Sequence, residues 1–200
     1  MQIKGKVGVQ DLSSSGEGPL RLFSDGMLAL RNSVGKYRDA AENGRLFSVA
    51  NQAAVATTAA LATTWTGLGV CNPTGSGKNL IIHEFSWTLT LAGPAAGAVG
   101  LMTSDDTGFE DSLTAKCAMN GAGSSVAYCD AGATIATPIL ERICGGFGTD
   151  AITDVSGQPL TVYHIDGSII LPPGRSVMTY TTLACTAALI FHFMWEEVDA

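Results

Sequence analysis

What this sequence has least of is charge. Lysine, arginine, aspartate and glutamate make up 14% of its 200 residues, against roughly 25% in an average soluble domain. A chain so short of solubilising groups either surrounds a large core with small neutral residues or keeps much of its surface against other subunits. Long hydrophobic runs are also missing. The longest apolar stretch, Leu183 to Trp195, is interrupted by Thr186 and His192 and falls short of the ~20 residues that a membrane-spanning helix needs. No apolar segment follows Met1 that would serve as a secretory signal. The five cysteines, Cys71, Cys117, Cys129, Cys144 and Cys185, are odd in number and contain no C-x-x-C pair. That argues against a disulfide framework or a zinc site. Buried free thiols, made in a reducing compartment, are the expectation.

The charge that is present is unevenly placed. Residues 1–50 carry seven basic and five acidic side chains, a balance of +2, and the remainder carries four basic and thirteen acidic, a balance of −9. An acidic body repels phosphate, so nucleic acid is not an expected partner there. The leading segment is too evenly mixed to read as a nucleic-acid tail. Residues 1–40 read as an extended N-terminal arm and 41–200 as the folded domain. In the arm, Ser13-Ser14-Ser15-Gly16-Glu17-Gly18-Pro19 is turn-rich. The short apolar stretches Leu20 to Phe23 and Met27 to Leu30 suit addition to a partner. Lys36 to Gly44 has room for one or two helical turns, stopped by Asn43-Gly44.

From Arg45 onward the pattern is that of strands. Ile81, His83, Phe85, Trp87, Leu89 and Leu91 alternate with Glu84, Ser86, Thr88 and Thr90, the period-two pattern of a half-buried strand. Near the C-terminus, Leu183, Cys185, Ala187, Leu189, Phe191, Phe193 and Trp195 fall on one face, and the other face is nearly as apolar. That predicts a central strand covered on both sides. Pro173-Gly174 fits the middle of a type II turn between strands at 167–171 and 176–182. Further strands are expected at 46–49, 66–71, 98–103, 125–129, 139–144 and 160–163. Many short strands and glycine-rich turns predict an all-β sandwich, and the count fits an eight-stranded jelly roll with an extended N-terminal arm.

Few groupings suggest chemistry. Asn72-Pro73-Thr74-Gly75-Ser76-Gly77-Lys78-Asn79 echoes a phosphate-binding loop. However, Asn72 stands at its first glycine, Asn79 stands at its metal-binding hydroxyl, and a strand follows where a helix must. A structural loop with an exposed lysine is expected. Asp105, Asp106, Glu110 and Asp111 could offer oxygen ligands to Ca²⁺, but the EF-hand spacing is absent, and a solvated acidic loop is the plainer reading. His83 and His192 lie within apolar strands, as core or interface histidines do. Trp65, Trp87 and Trp195 could form a sugar-binding platform, yet Trp87 and Trp195 alternate with core residues. No catalytic, cofactor-binding or metal-binding residues are assigned, no cofactor is expected, and the chain does not read as an enzyme.

Gly44-Arg45-Leu46-Phe47-Ser48-Val49-Ala50-Asn51-Gln52, the segment Cys71 to Ile82 with its N-P-T-G-S-G-K-N-L loop, Leu171-Pro172-Pro173-Gly174 and the closing Trp195-Glu196-Glu197 resemble structural proteins of tailed bacteriophages. The resemblance covers roughly residues 40–198. It implies a virion component, made in the bacterial cytoplasm, most like a jelly-roll head-decoration (cement) protein. The implied partners are the major capsid protein and copies of itself, as a homotrimer, with no small-molecule substrate, nucleic acid or membrane. A tail- or fibre-associated receptor- or carbohydrate-binding module is the alternative.

Overall fold

Alternation of apolar and polar residues shapes most of the chain. In the computed structural model, residues 35–90, 95–105, 108–120, 123–148 and 160–200 are described. Most of the expected arm, including Leu20 to Phe23 and Met27 to Leu30, lies outside them. Residues Tyr37–Ala200 form a compact unit of their own. It begins with the short helix α1 (Arg38–Glu42), followed by β1 (Leu46–Ala50), β2 (Val55–Thr57), β3 (Thr64–Asn72), β4 (Lys78–Leu89), β5 (Gly97–Ser104), β6 (Lys116–Cys117), β7 (Tyr128–Thr134), β8 (Ile139–Phe147), β9 (Thr161–Leu171), β10 (Arg175–Thr181) and β11 (Cys185–Asp199). Gly44, at φ 66°, ends the helical segment in the conformation that glycine tolerates best. Gly174, at φ 85°, does the same in the Pro-Pro-Gly turn.

The strands form two antiparallel sheets. One runs β6-β1-β11-β4-β9, with β2 also on β11, and the other runs β7-β3-β10-β5-β8. Setting aside β2, β6 and β7 leaves eight strands. The first pairs with the last (β1 with β11), the second with the seventh (β3 with β10), the third with the sixth (β4 with β9) and the fourth with the fifth (β5 with β8). This is one long antiparallel hairpin rolled into two facing sheets, which is the jelly roll. The region between β5 and β8 contributes β6 and β7, which extend the two sheets on one side.

The core lies between the sheets. Phe85, Phe191, Phe193, Trp195, Leu68, Leu80, Ile82 and Leu101 are fully buried there. Burial of one such side chain stabilises by about 1.5–3 kcal/mol. A smaller cluster of Trp65, Cys71, Met102, Phe109, Ile135 and Met178 covers the opposite face of the second sheet.

Two sequence expectations need correction. The core face of β4 does not follow odd residues throughout. Leu80 and Ile82 point inward, and then Phe85, Trp87 and Leu89 do. Ile82 pairs with Trp195 and Glu84 with Met194, so His83 is an extra residue, a β-bulge that reverses the phase. The C-terminal strand β11 is central as expected, but its two faces differ: Leu189, Phe191, Phe193, Trp195 and Glu197 on the odd face are buried. Ile190, His192, Met194 and Glu196 on its other face are half-buried. The strands covered on both faces are β3, β5 and β10 of the other sheet.

Candidate functional site

The loop that echoes a phosphate site is held by its own side chains. Asn72, fully buried at the end of β3, donates from Nδ2 to the carbonyls of Lys78 (2.7 Å) and Leu171 (2.7 Å). Its Oδ1 accepts a bond from Ser76 Oγ at 2.6 Å, and its carbonyl accepts one from Gly174 N at 2.7 Å. One asparagine thus ties the β3–β4 corner to the end of β9 and to the Pro-Pro-Gly turn. Gly75 and Gly77 take positive φ of 82° and 69° to close the loop. Lys78 Nζ points outward to Asp199 at 2.6 Å, and this contact holds the Asp199 carboxyl below its usual range. The Ser76 amide donates to the Pro73 carbonyl at 3.2 Å and the Lys78 amide to Ser76 Oγ at 3.3 Å, so these donors, like Lys78 Nζ, are already paired within the fold.

The acidic stretch does not converge on one point. Asp105 pairs with Arg175. Asp106 lies outside the described residues. Asp111, at φ 58°, accepts the Cys129 amide at 3.0 Å, and Glu110 uses its backbone amide to bond Asp130 at 3.1 Å. Asp130 also accepts from Ser112 Oγ and from the Ala131 amide at 2.8 Å. These carboxylates satisfy backbone donors where the segment carrying Phe109 lies on the second sheet. Among the described residues, no three His, Cys, Asp or Glu side chains are arranged to hold a metal ion.

The outer face of the first sheet brings together a group that sequence spacing did not reveal. Glu84 on β4 stands opposite His164 on β9, and His192 lies diagonally on β11. Glu84 is 3.8 Å from His164 Nδ1 and 3.9 Å from His192 Nδ1, and Ser86 Oγ is 3.3 Å from the same His192 nitrogen. Serine, histidine and glutamate are the residue types of a hydrolase triad. A triad places the nucleophile on one ring nitrogen and the orienting carboxylate on the other. Here both approach Nδ1, and Ser86 is buried, so no relay is formed. Burial pulls the His192 pKa down, and the nearby Glu84 carboxylate opposes that shift only in part. His83 lies under Tyr37, with ring centroids 4.7 Å apart, and faces Glu196 at 3.5 Å, as an interior histidine would.

All three tryptophans are buried, so they offer no sugar platform. The cysteines are all free, and only Cys117 is more than slightly exposed. Burial pushes the Cys144 thiol up to about 11, raises Cys185 against a bond from Thr57, and drives Cys129 higher still with help from Asp111. A thiol that does not ionise is a poor nucleophile and a poor metal ligand.

Two features of the surface were not legible in the sequence. One is an open cleft of about 710 Å³ beside β6, lined by Asp111, Lys116, Cys117, Asn120 and Ser125 among others. The other is the set of exposed aliphatic side chains on β8 and β9, the end strands of the two sheets. No family model, curated protein or solved structure matches the chain.

Proposed function

We propose that this chain is a structural subunit of a virus particle, most like the phage head-decoration proteins that its motifs resemble. The observation that carries this reading is the jelly-roll strand order, in a body with very little charge. Jelly rolls recur in viral capsid and lectin domains, where function resides in the outer surfaces and loops. The N-P-T-G-S-G-K-N-L loop supports the same reading, since its polar groups close the corner of a sandwich. The proposed partners are the major capsid protein and further copies of this chain, as a homotrimer, and the proposed location is the virion.

The test is to purify particles and look for this chain by mass spectrometry and as assigned density in cryo-electron microscopy. The expected result is ordered copies on the head, and absence from purified particles overturns the reading. A second reading, a tail-associated receptor- or carbohydrate-binding module, is favoured by the polar cleft beside β6. Density at the tail tip together with glycan binding that is lost in Lys116→Ala would select it.

A further inference from the structure

The outer face of the first sheet is covered at one end by the segment around α1. There the Tyr37 ring lies 4.7 Å from that of His83, Arg45 pairs with Glu196 at 2.9 Å, and Leu46 is buried. Farther along the same face, cross-strand register groups Val162 and His164 of β9, Glu84 and Ser86 of β4, and His192 and Met194 of β11. This part is open. Val162 is 40% exposed and the His164 side chain 63%.

Glu84 stands in the middle of that open part. Its side chain is only 22% exposed, yet its carboxylate accepts no hydrogen bond from any described residue. His164 Nδ1 and His192 Nδ1, at 3.8 and 3.9 Å, lie beyond hydrogen-bond range, and an imidazole is at most partly charged at neutral pH. Ser86 Oγ is directed to His192. A largely covered carboxylate costs stability until a donor or a cation meets it. Among the described residues no arginine is left to do so. Arg38 pairs with Glu42, Arg45 with Asp39 and Glu196, Arg142 with Glu141, and Arg175 with Asp105. Lys78 pairs with Asp199, and Lys116 stands three strands away on β6. The two remaining arginines of the sequence, Arg21 and Arg31, belong to the leading segment outside the described residues.

We propose that the open part of this face receives the stretch Leu20 to Phe23 of a second copy, with the Arg21 guanidinium on the Glu84 carboxylate. The proposal rests on the reading of the chain as an assembling structural subunit, and it names the contact between copies. In an extended chain, residues two apart share a side. Arg21 is therefore accompanied by Phe23, which brings an aromatic ring to Val162 and Met194, whereas Arg31 is accompanied by Ala29. Guanidinium and carboxylate match in a forked, charge-assisted pair that no neighbour of Glu84 supplies.

The test is charge exchange between copies, read by sedimentation velocity of full chains at micromolar concentrations. The wild type is expected at a multiple of 20.6 kDa. So is the control Glu110→Arg, which makes the same charge change at an exposed position on the segment over the second sheet. Glu84→Arg and Arg21→Glu are each expected at the monomer mass with an unchanged circular-dichroism spectrum. Mixed in equal amounts, these two variants are expected to associate again, since the arginine kept by one meets the glutamate kept by the other. Should Glu84→Arg not fold, Glu84→Gln replaces it, with a dissociation constant raised about tenfold or more. A monomeric wild type, a Glu84→Arg chain of wild-type mass, equal dissociation of the control, or a mixture that stays monomeric overturns the proposal. A monomeric wild type that still coats particles overturns this inference and leaves the virion reading intact. An oligomer that depends on Glu84 and Arg21 but is absent from particles does the reverse.

Discussion

Asn72 stands where a phosphate-binding loop would begin with glycine, and its side chain does what no glycine can. Its amide satisfies two carbonyls from different strands and receives Ser76. Asn72→Ala removes both bonds; Ser76 Oγ still reaches the Lys78 carbonyl at 3.3 Å, but the buried Leu171 carbonyl loses this donor, at a cost of about 1–3 kcal/mol. It is expected to lower the urea midpoint clearly, whereas Lys78→Ala, which removes only an exposed pair, leaves it unchanged. Equal midpoints for Asn72→Ala and wild type would show that the amide does not hold the corner. His192 makes a second prediction. Its pKa in the folded chain is depressed by burial, with Glu84 opposing. The unfolded chain therefore takes up the proton first as pH falls. The stability this group contributes is present above the ordinary histidine value of 6.5 and is lost as the pH falls below it toward the depressed value. The groups facing the ring are Ser86 and Glu84 on β4, with His164 beyond Glu84 on β9. Melting temperature is expected to fall between pH 7 and pH 5.5, and His192→Gln to flatten that slope. A mutant with the wild-type slope assigns the pH dependence elsewhere.

At the scale of elements, period-two patterning was legible wherever a strand ran straight against the core. β11 and most of β4 lie where alternation put them, β10 follows the Pro-Pro-Gly turn as expected, and the helical turn stops at Asn43-Gly44. The bulge at His83 was not legible, because one extra residue changes the phase without altering composition. β2 and β6 are too short to carry a pattern. The double burial of β3, β5 and β10 was hidden because Phe109 and Ile135, far away in sequence, provide the cover. Gly69 is the local signature of that cover. A Cβ placed there would lie 2.6 Å from the Phe109 ring and 3.0 Å from Met178 Cγ. Gly69→Ala is expected to cost about 1–3 kcal/mol by overpacking and to shift the fluorescence of Trp65, whose ring lies 6.1 Å from that of Phe109. Because the closest collision is with the Phe109 ring and the Met178 side chain is flexible, most of the cost should vanish in a Phe109→Ala background. Additive costs in the double variant would refute the collision as the cause.

At the scale of the whole molecule, two packed sheets and an unequal charge distribution define what the body can do alone. Among the described residues the core lies within Tyr37–Ala200, and the body is expected to fold without residues 1–35. The sequence of that leading segment offers Leu20 to Phe23 and Met27 to Leu30 for pocket filling or strand addition on a neighbouring subunit. Arg21 and Arg31 beside those stretches suit an acidic partner surface. Deleting residues 1–35 is therefore expected to leave a soluble β-domain with the wild-type circular-dichroism spectrum and melting temperature. The same deletion is expected to abolish or sharply weaken attachment to particles. The measurement is binding of the full and truncated chains to purified particles that lack this protein. Loss of attachment with the fold retained assigns the anchor to the leading segment. Attachment as tight as that of the full chain moves the anchor onto the body.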